Sequence, residues 1–149
     1  MSVDRYTFDT NVLFYALDSD AGSKYRTAQK LVGLADYNRA IILLQSLGEL
    51  CHSVRKKRTA HIGELERFVQ ETTAMFEVVP ATSQDLFNAI AAAKQHGLPF
   101  WDAMLWATSR RSGCSLILTE DFQDGRVLDG VTFRNPFSMS AAELNNLIG

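Results

Sequence analysis

Apolar positions along the chain alternate between short β-prone runs and helical spacing. Arg5-Tyr6-Thr7-Phe8 is β-prone and ends at Asp9-Thr10-Asn11, side chains that suit a strand end and a helix cap. From Ser23 to Tyr37, Ala28, Leu31, Val32 and Ala35 share one helical face. Ala40 to Leu44 is continuously apolar, as expected of a strand covered on both sides. Gln45 to Lys57 returns to helical spacing, with Leu47, Leu50 and Val54 on one stripe. His61 to Thr73 is amphipathic, and Met75 to Val79 is strand-like and closed by Pro80. Thr82 or Ser83 caps a helix running to His96, where Gly97 stops it. Pro99 precedes a helix from Phe100 to Arg111, with Gly113 at its end. Ser115 to Thr119 reads as a buried strand, Val131 to Phe133 as a weaker one, and Leu144 and Leu147 mark a short terminal helix.

Strands separated by helices require crossover connections. They predict an α/β fold, a three-layer α/β/α sandwich around a mainly parallel, five-stranded sheet. No repeat, low-complexity tract or linker divides the chain, so residues 1–149 read as one domain. In such sheets ligands bind beyond the carboxyl ends of the strands, near a switch in strand order. Asp9 follows the first strand and Asp121 the fourth. Glu49 lies in the first turns of the helix after the second strand, and Asp102 in the first turn of the helix before the fourth. All four acids can therefore face one rim.

Taken singly, each acid has an ordinary explanation. Asp9 can cap a helix, Glu49 can be solvated, and Asp102 and Asp121 can be favourable charges near helix starts. Convergence changes this, because two carboxylates 4 Å apart repel by roughly 4 kcal/mol at an effective dielectric of ~20. A cation resolves that repulsion. Hard oxygen ligands without converging His or Cys point to Mg²⁺ or Mn²⁺.

Phe8-Asp9-Thr10-Asn11-Val12-Leu13 resembles the opening motif of PIN domains. Ser46-Leu47-Gly48-Glu49-Leu50, Pro99-Phe100-Trp101-Asp102-Ala103 and Leu118-Thr119-Glu120-Asp121-Phe122-Gln123-Asp124-Gly125 resemble the later motifs, in order. The resemblance covers nearly the whole chain and is closest to the VapC-type toxins of bacterial toxin–antitoxin pairs. It implies an acidic, metal-binding catalytic site at Asp9, Glu49, Asp102 and Asp121, with polar support from Asn11 and Thr119. Asp124 is a possible additional acid, while Glu120 is read as pointing away. Gly48 weakens a helix at the Glu49 motif and is read as allowing close backbone packing. The implied activity is a Mg²⁺- or Mn²⁺-dependent endoribonuclease, cleaving RNA phosphodiester bonds by metal-activated water to leave 5′-phosphate and 3′-hydroxyl ends. No Ser-His-Asp or Cys-His arrangement offers another chemistry.

Arg55, Lys56, Lys57 and Arg58 follow Glu49 along one helix and are the candidate RNA-backbone contacts, with a solvated basic helix end as the alternative. Trp101, Met104, Leu105 and Trp106 make the next acid-bearing helix apolar around much of its circumference. Core packing explains them, and a homodimer interface, common in VapC-like proteins, is the alternative. The same resemblance implies an antitoxin peptide covering the acidic site and a hydrophobic groove.

Composition alters little. The chain is 46% hydrophobic and 21% charged, within the range of globular domains. Its net charge of −2 does not argue against nucleic acid: if four of the 17 acids bind metal, the 13 left face 15 Lys and Arg. Cys51 and Cys114 stand in apolar stretches without CxxC spacing and read as buried thiols in a cytoplasmic protein. No apolar run reaches the ~20 residues of a membrane span, so no membrane partner is expected, and no signal peptide is evident. Other readings are a catalytically inactive PIN-like RNA-binding module and a structure-specific DNA nuclease. A HAD-type phosphatase fits poorly, because Asn11 stands where that class needs a second Asp.

Overall fold

The computed structural model describes residues 4–57 and 62–148. Alternation along the strands assigns the two faces of the sheet. In β1 (Arg5–Phe8), Tyr6 and Phe8 point to one side, joined there by Ile42 of β2 (Ala40–Leu43) and by Leu116 and Leu118 of β4 (Cys114–Leu118). Ile41, Leu43 and Ile117 point to the other side. The first face is covered by α1 (Thr10–Leu17), α2 (Ser23–Leu34), α3 (Leu44–Lys57), α4 (Ile62–Met75) and α7 (Ala141–Ile148). The second is covered by α5 (Ser83–His96) and α6 (Phe100–Arg111). Two apolar cores thus sandwich the sheet, giving the expected three layers.

The sheet has six strands in the order β3-β2-β1-β4-β6-β5, where β3 is Glu77–Val79, β5 Val127–Leu128 and β6 Val131–Arg134. All pairings are parallel except that of β5 with β6. The extra strand corrects the expectation of five. β5 is two residues long and exists because Asp129 and Gly130, with φ of 46° and 80°, turn the chain straight back into β6. An Asp-Gly pair with positive φ at both positions is the turn that suits a tight hairpin.

Three local corrections follow from polar contacts and space. The helix expected over Ser23–Tyr37 ends at Leu34. Asp36 there donates its N–H to the Tyr6 hydroxyl (3.0 Å) and accepts from the Asn38 N–H (2.9 Å), a side-chain turn that competes with helix. Gly48 lies inside α3, and outside its own helix backbone nothing among the described residues stands within 4 Å of where a Cβ would be, so close packing does not require it. Met104, Leu105 and Trp106 are buried, the Trp106 Nε1 donating to the Leu128 carbonyl (3.1 Å), whereas Trp101 is 61% exposed. That divides the apolar α6 into core residues and one surface aromatic.

Where the expectation was sound, caps explain why. The Thr82 hydroxyl accepts from the Asp85 N–H (3.2 Å) and the Asp85 carboxylate accepts from the Thr82 N–H (3.0 Å), a reciprocal capping box opening α5. Gly97, at φ 66°, closes that helix in the left-handed region. Among the described residues both cysteines are free, and no helix is long and apolar enough to cross a membrane.

The site's position follows from strand order. From β1 the chain builds β2 and β3 to one side, and later β4, β6 and β5 to the other. The switch therefore lies between β1 and β4, where Asp9 and Asp121 leave the sheet.

Candidate active site

The parallel ladder continues one step past β1, the Asp9 N–H donating to the Leu118 carbonyl (2.9 Å), and so brings Asp9 beside Thr119. Asp9 has extended backbone (φ −67°, ψ 161°) and caps α1, its Oδ1 accepting from the Thr10 N–H (2.7 Å). Its Oδ2 accepts from the Thr119 hydroxyl (2.7 Å). Capping and membership of the acidic rim are thus both served by one side chain.

Thr119 is the hub of the rim. Its Oγ1 also accepts from the Asp121 N–H (3.2 Å), which fixes the loop after β4, and from Asn11 Nδ2 (3.4 Å). The same Asn11 amide donates to Asp121 Oδ2 (3.0 Å). Glu49 arrives from α3, its Oε1 accepting from Gln45 Nε2 (2.7 Å) and its Oε2 from the Thr10 hydroxyl (3.4 Å). Asp102 enters half-buried from the first turn of α6.

Asp9, Glu49, Asp102 and Asp121 line one cleft of about 300 Å³, together with Asn11, Glu120 and Lys57. Their charges act on one another. Burial pushes the Asp9 carboxyl up to about 6, against hydrogen bonds from Thr119 and Thr10, and the Asp121 and Asp102 charges add to the rise. Burial also raises Asp102, with Asp121 and Glu49 adding to it. Among the described residues no basic side chain forms an ion pair with any of these four acids.

Other expected site residues fall elsewhere. Asp124 is not in the cleft lining: its Oδ1 accepts from Arg134 Nε (3.0 Å) and the Asn135 N–H (2.9 Å), contacts that hold its carboxyl below the usual range. In the basic tract, Lys57 reaches the cleft with its Nζ 4.8 Å from the centre of the Phe14 ring. Arg55 and Lys56 are exposed outside the lining, and Arg58 lies outside the described residues.

Glu120, expected to point away, also faces the cleft, but its charge is engaged. Its carboxylate accepts from the Tyr15 hydroxyl (2.6 Å) and from Lys24 Nζ (2.8 Å). Burial alone would raise this carboxyl, and the Lys24 and Tyr15 contacts hold it low instead. Sequence spacing could have shown Tyr15, one helical turn after Asn11, and Gln45, one turn before Glu49. Nothing local announces Lys24, which is 96 residues from Glu120.

The donor set suits a hard divalent cation. It is all oxygen, burial and the neighbouring acid charges raise Asp9 and Asp102, and the Asn11 Oδ1 is buried without a hydrogen-bond partner among the described residues. Among those residues no three acidic, His or Cys side chains already stand close enough to share one ion. Mg²⁺ does not need them to, since it keeps several waters and is commonly held by one or two carboxylates.

The fold has solved counterparts. A toxin–antitoxin complex from Klebsiella pneumoniae contains a chain with TM-score 0.65 and 19% identity, covering 90% of this chain and 99% of that one. The VapC20 toxin of Mycobacterium tuberculosis, described as cleaving the sarcin-ricin loop, aligns with TM-score 0.61 and 18% identity over 78% of this chain and 89% of its own. FitAcB from Neisseria gonorrhoeae gives 0.62 and 17% identity over 90% and 99%. No curated protein sequence matches the chain significantly. The family model for the PIN domain matches residues 6–126, which contain all four rim acids, and the chain belongs to the PIN domain family.

Proposed function

We propose that this protein is a Mg²⁺- or Mn²⁺-dependent endoribonuclease, built as one domain and acting as the toxin of a type II toxin–antitoxin pair. One observation carries the reading: four acids from four separate segments line one cleft, and among the described residues none of them is ion-paired. When bound, a divalent cation lowers the pKa of water and stabilises charge on a phosphodiester. Asp9, Glu49, Asp102 and Asp121 would hold it. Thr119 and Asn11 orient Asp9 and Asp121, and Thr10 and Gln45 orient Glu49. Lys57, which lines the same cleft, would take an RNA phosphate, with Arg55 and Lys56 on the same helix and Arg58 next in sequence as further candidates.

RNA as substrate draws support from the likeness to VapC20, and an antitoxin from the likeness to toxin–antitoxin assemblies. Such a peptide would cover the acidic cleft and a groove of about 340 Å³ between α1, α2 and α4, where Leu17, Tyr25 and Phe68 stand among Glu64, Arg67 and Glu71. A second copy would cover the exposed Leu86, Phe87 and Ile90 of α5 rather than the buried part of α6.

The test is purified protein with labelled tRNA, rRNA, mRNA and single-stranded DNA, in Mn²⁺ or EDTA, beside Asp9→Asn and Asp102→Asn. RNA cleavage that needs Mn²⁺ and both acids is expected. Cleavage surviving EDTA and both substitutions overturns the reading. RNA binding without cleavage by the wild type supports the inactive module instead, and cleavage confined to DNA the alternative nuclease.

A further inference from the structure

Gln45 sits in the first turn of α3, and its amide nitrogen makes two bonds. It donates to Glu49 Oε1 at 2.7 Å and to the Trp101 carbonyl at 3.1 Å. A Gln–Glu contact one turn apart is common on any helix. The second bond is not of that kind. Trp101 lies 56 residues further along the chain, in the first turn of α6, immediately before Asp102. Both partners are acceptors only, so the amide nitrogen must face them, and the orientation of the group is determined.

We infer that Gln45 is a positioning residue, tying the Glu49 carboxylate to the start of α6 and so setting the spacing of Glu49 and Asp102 for a divalent cation. This rests on the metal-dependent reading of the site. The two acids repel, and a neutral amide is the right group to hold them together. A Lys or Arg at the same place would neutralise Glu49 and compete with the cation, whereas an amide holds the carboxylate and leaves its charge available. Thr10 approaches the other Glu49 oxygen at 3.4 Å, so both oxygens are oriented from outside α3's own backbone. Gln45 Oε1 is meanwhile buried without a hydrogen-bond partner among the described residues.

The experiment compares wild type with Gln45→Met, which keeps length and helix preference but has no donor, and with Gln45→Ala as a second variant should the first fold poorly. Free Mn²⁺ is followed by electron paramagnetic resonance during titration of the full chain, and melting is recorded without metal. Removing a group that orients a metal ligand weakens affinity by roughly 10- to 100-fold, and that loss is expected here with the melting temperature little changed. RNA cleavage by either variant should recover toward wild type at saturating Mn²⁺, a shift in metal requirement rather than in the maximal rate. Wild-type Mn²⁺ affinity in a folded Gln45→Met or Gln45→Ala protein overturns the inference. Absence of Mn²⁺ binding by the wild type overturns the metal reading and this inference together. Mn²⁺ binding without RNA cleavage removes only the nuclease reading and leaves the positioning role standing on the affinity measurement.

Discussion

Two aspartates in this protein are buried almost completely, Asp9 at 7% exposure and Asp85 at 0%, and they are treated in opposite ways. Asp85 lies between α5 and α6. Its carboxylate accepts from Arg111 Nε (2.8 Å), the Thr108 hydroxyl (3.0 Å) and the Thr82 N–H (3.0 Å). Burial would raise its pKa, but Arg111 and the two other donors outweigh burial and hold it below the ordinary range. Asp9 has two neutral donors and acidic neighbours, and burial pushes it up to about 6. Burial alone therefore does not set the state of a carboxyl here; the partners do. Asp85 is completed within the fold and joins two helices. Asp9 has only neutral donors among the described residues, and the proposed cation would complete it.

That contrast can be broken in several ways. Asp9→Asn and Asp102→Asn should each lower Mn²⁺-dependent RNA cleavage by about 10²–10³-fold, the scale of losing one preorganised electrostatic group. Asp85→Asn should leave the rate of the folded enzyme within about threefold. Initial rates at saturating Mn²⁺ measure this, and comparable losses in Asp9→Asn and Asp85→Asn would erase the distinction.

Stability should respond to pH with opposite signs at the two sites. The folded pKa of Asp9 lies above its unfolded value, so its contribution is fully present below about 4 and lost as pH rises through about 6. The difference amounts to up to about 3 kcal/mol at neutral pH, at about 1.4 kcal/mol per unit. Asp85 is depressed, so its contribution is present above the ordinary carboxylate range and lost as pH falls through its lowered value. In metal-free protein at pH 7, Asp9→Asn should therefore raise the melting temperature and Asp85→Asn lower it. Denaturant titrations from about pH 2 to 8 would expose shifts of the same sign, which the comparison forbids.

Asp85→Ala should destabilise the protein by about 2–3 kcal/mol, less than the about 3–5 kcal/mol for a fully buried pair, because the Arg111 side chain is 36% exposed. Mn²⁺ affinity should not change, and urea unfolding beside a metal titration checks both. Smallest is Gly48→Ala. With open space around the added Cβ and a helix interior around it, the gain should be about 1 kcal/mol, or roughly 2–4 °C in melting temperature.

Legibility in the sequence followed the range of each interaction. The bounds of α5 and α6 could be read because their signals are local: Thr82 and Gly97 for one, Pro99 and Gly113 for the other. The rim acids were legible because each follows a strand or opens a helix, positions that the order of elements brings together. β5 was overlooked because two residues carry no period, although the Asp129-Gly130 turn beside it was a usable sign. The partners of the acids were harder to see. Lys24 neutralising Glu120 and Gln45 reaching Trp101 are contacts between distant segments, and no pattern within one segment encodes them.

The most direct test of the acidic cleft is the chemistry of the cut ends. A labelled RNA is incubated with wild-type protein in Mn²⁺, in EDTA, and in EDTA followed by excess Mn²⁺, and the product termini are identified by phosphatase and ligase treatment. Attack by water at a metal-holding site predicts products with 5′-phosphate and 3′-hydroxyl ends, absent in EDTA and restored with Mn²⁺. Products with 5′-hydroxyl and 2′,3′-cyclic phosphate ends that persist in EDTA would mean that the RNA's own 2′-hydroxyl attacks, and would contradict the account.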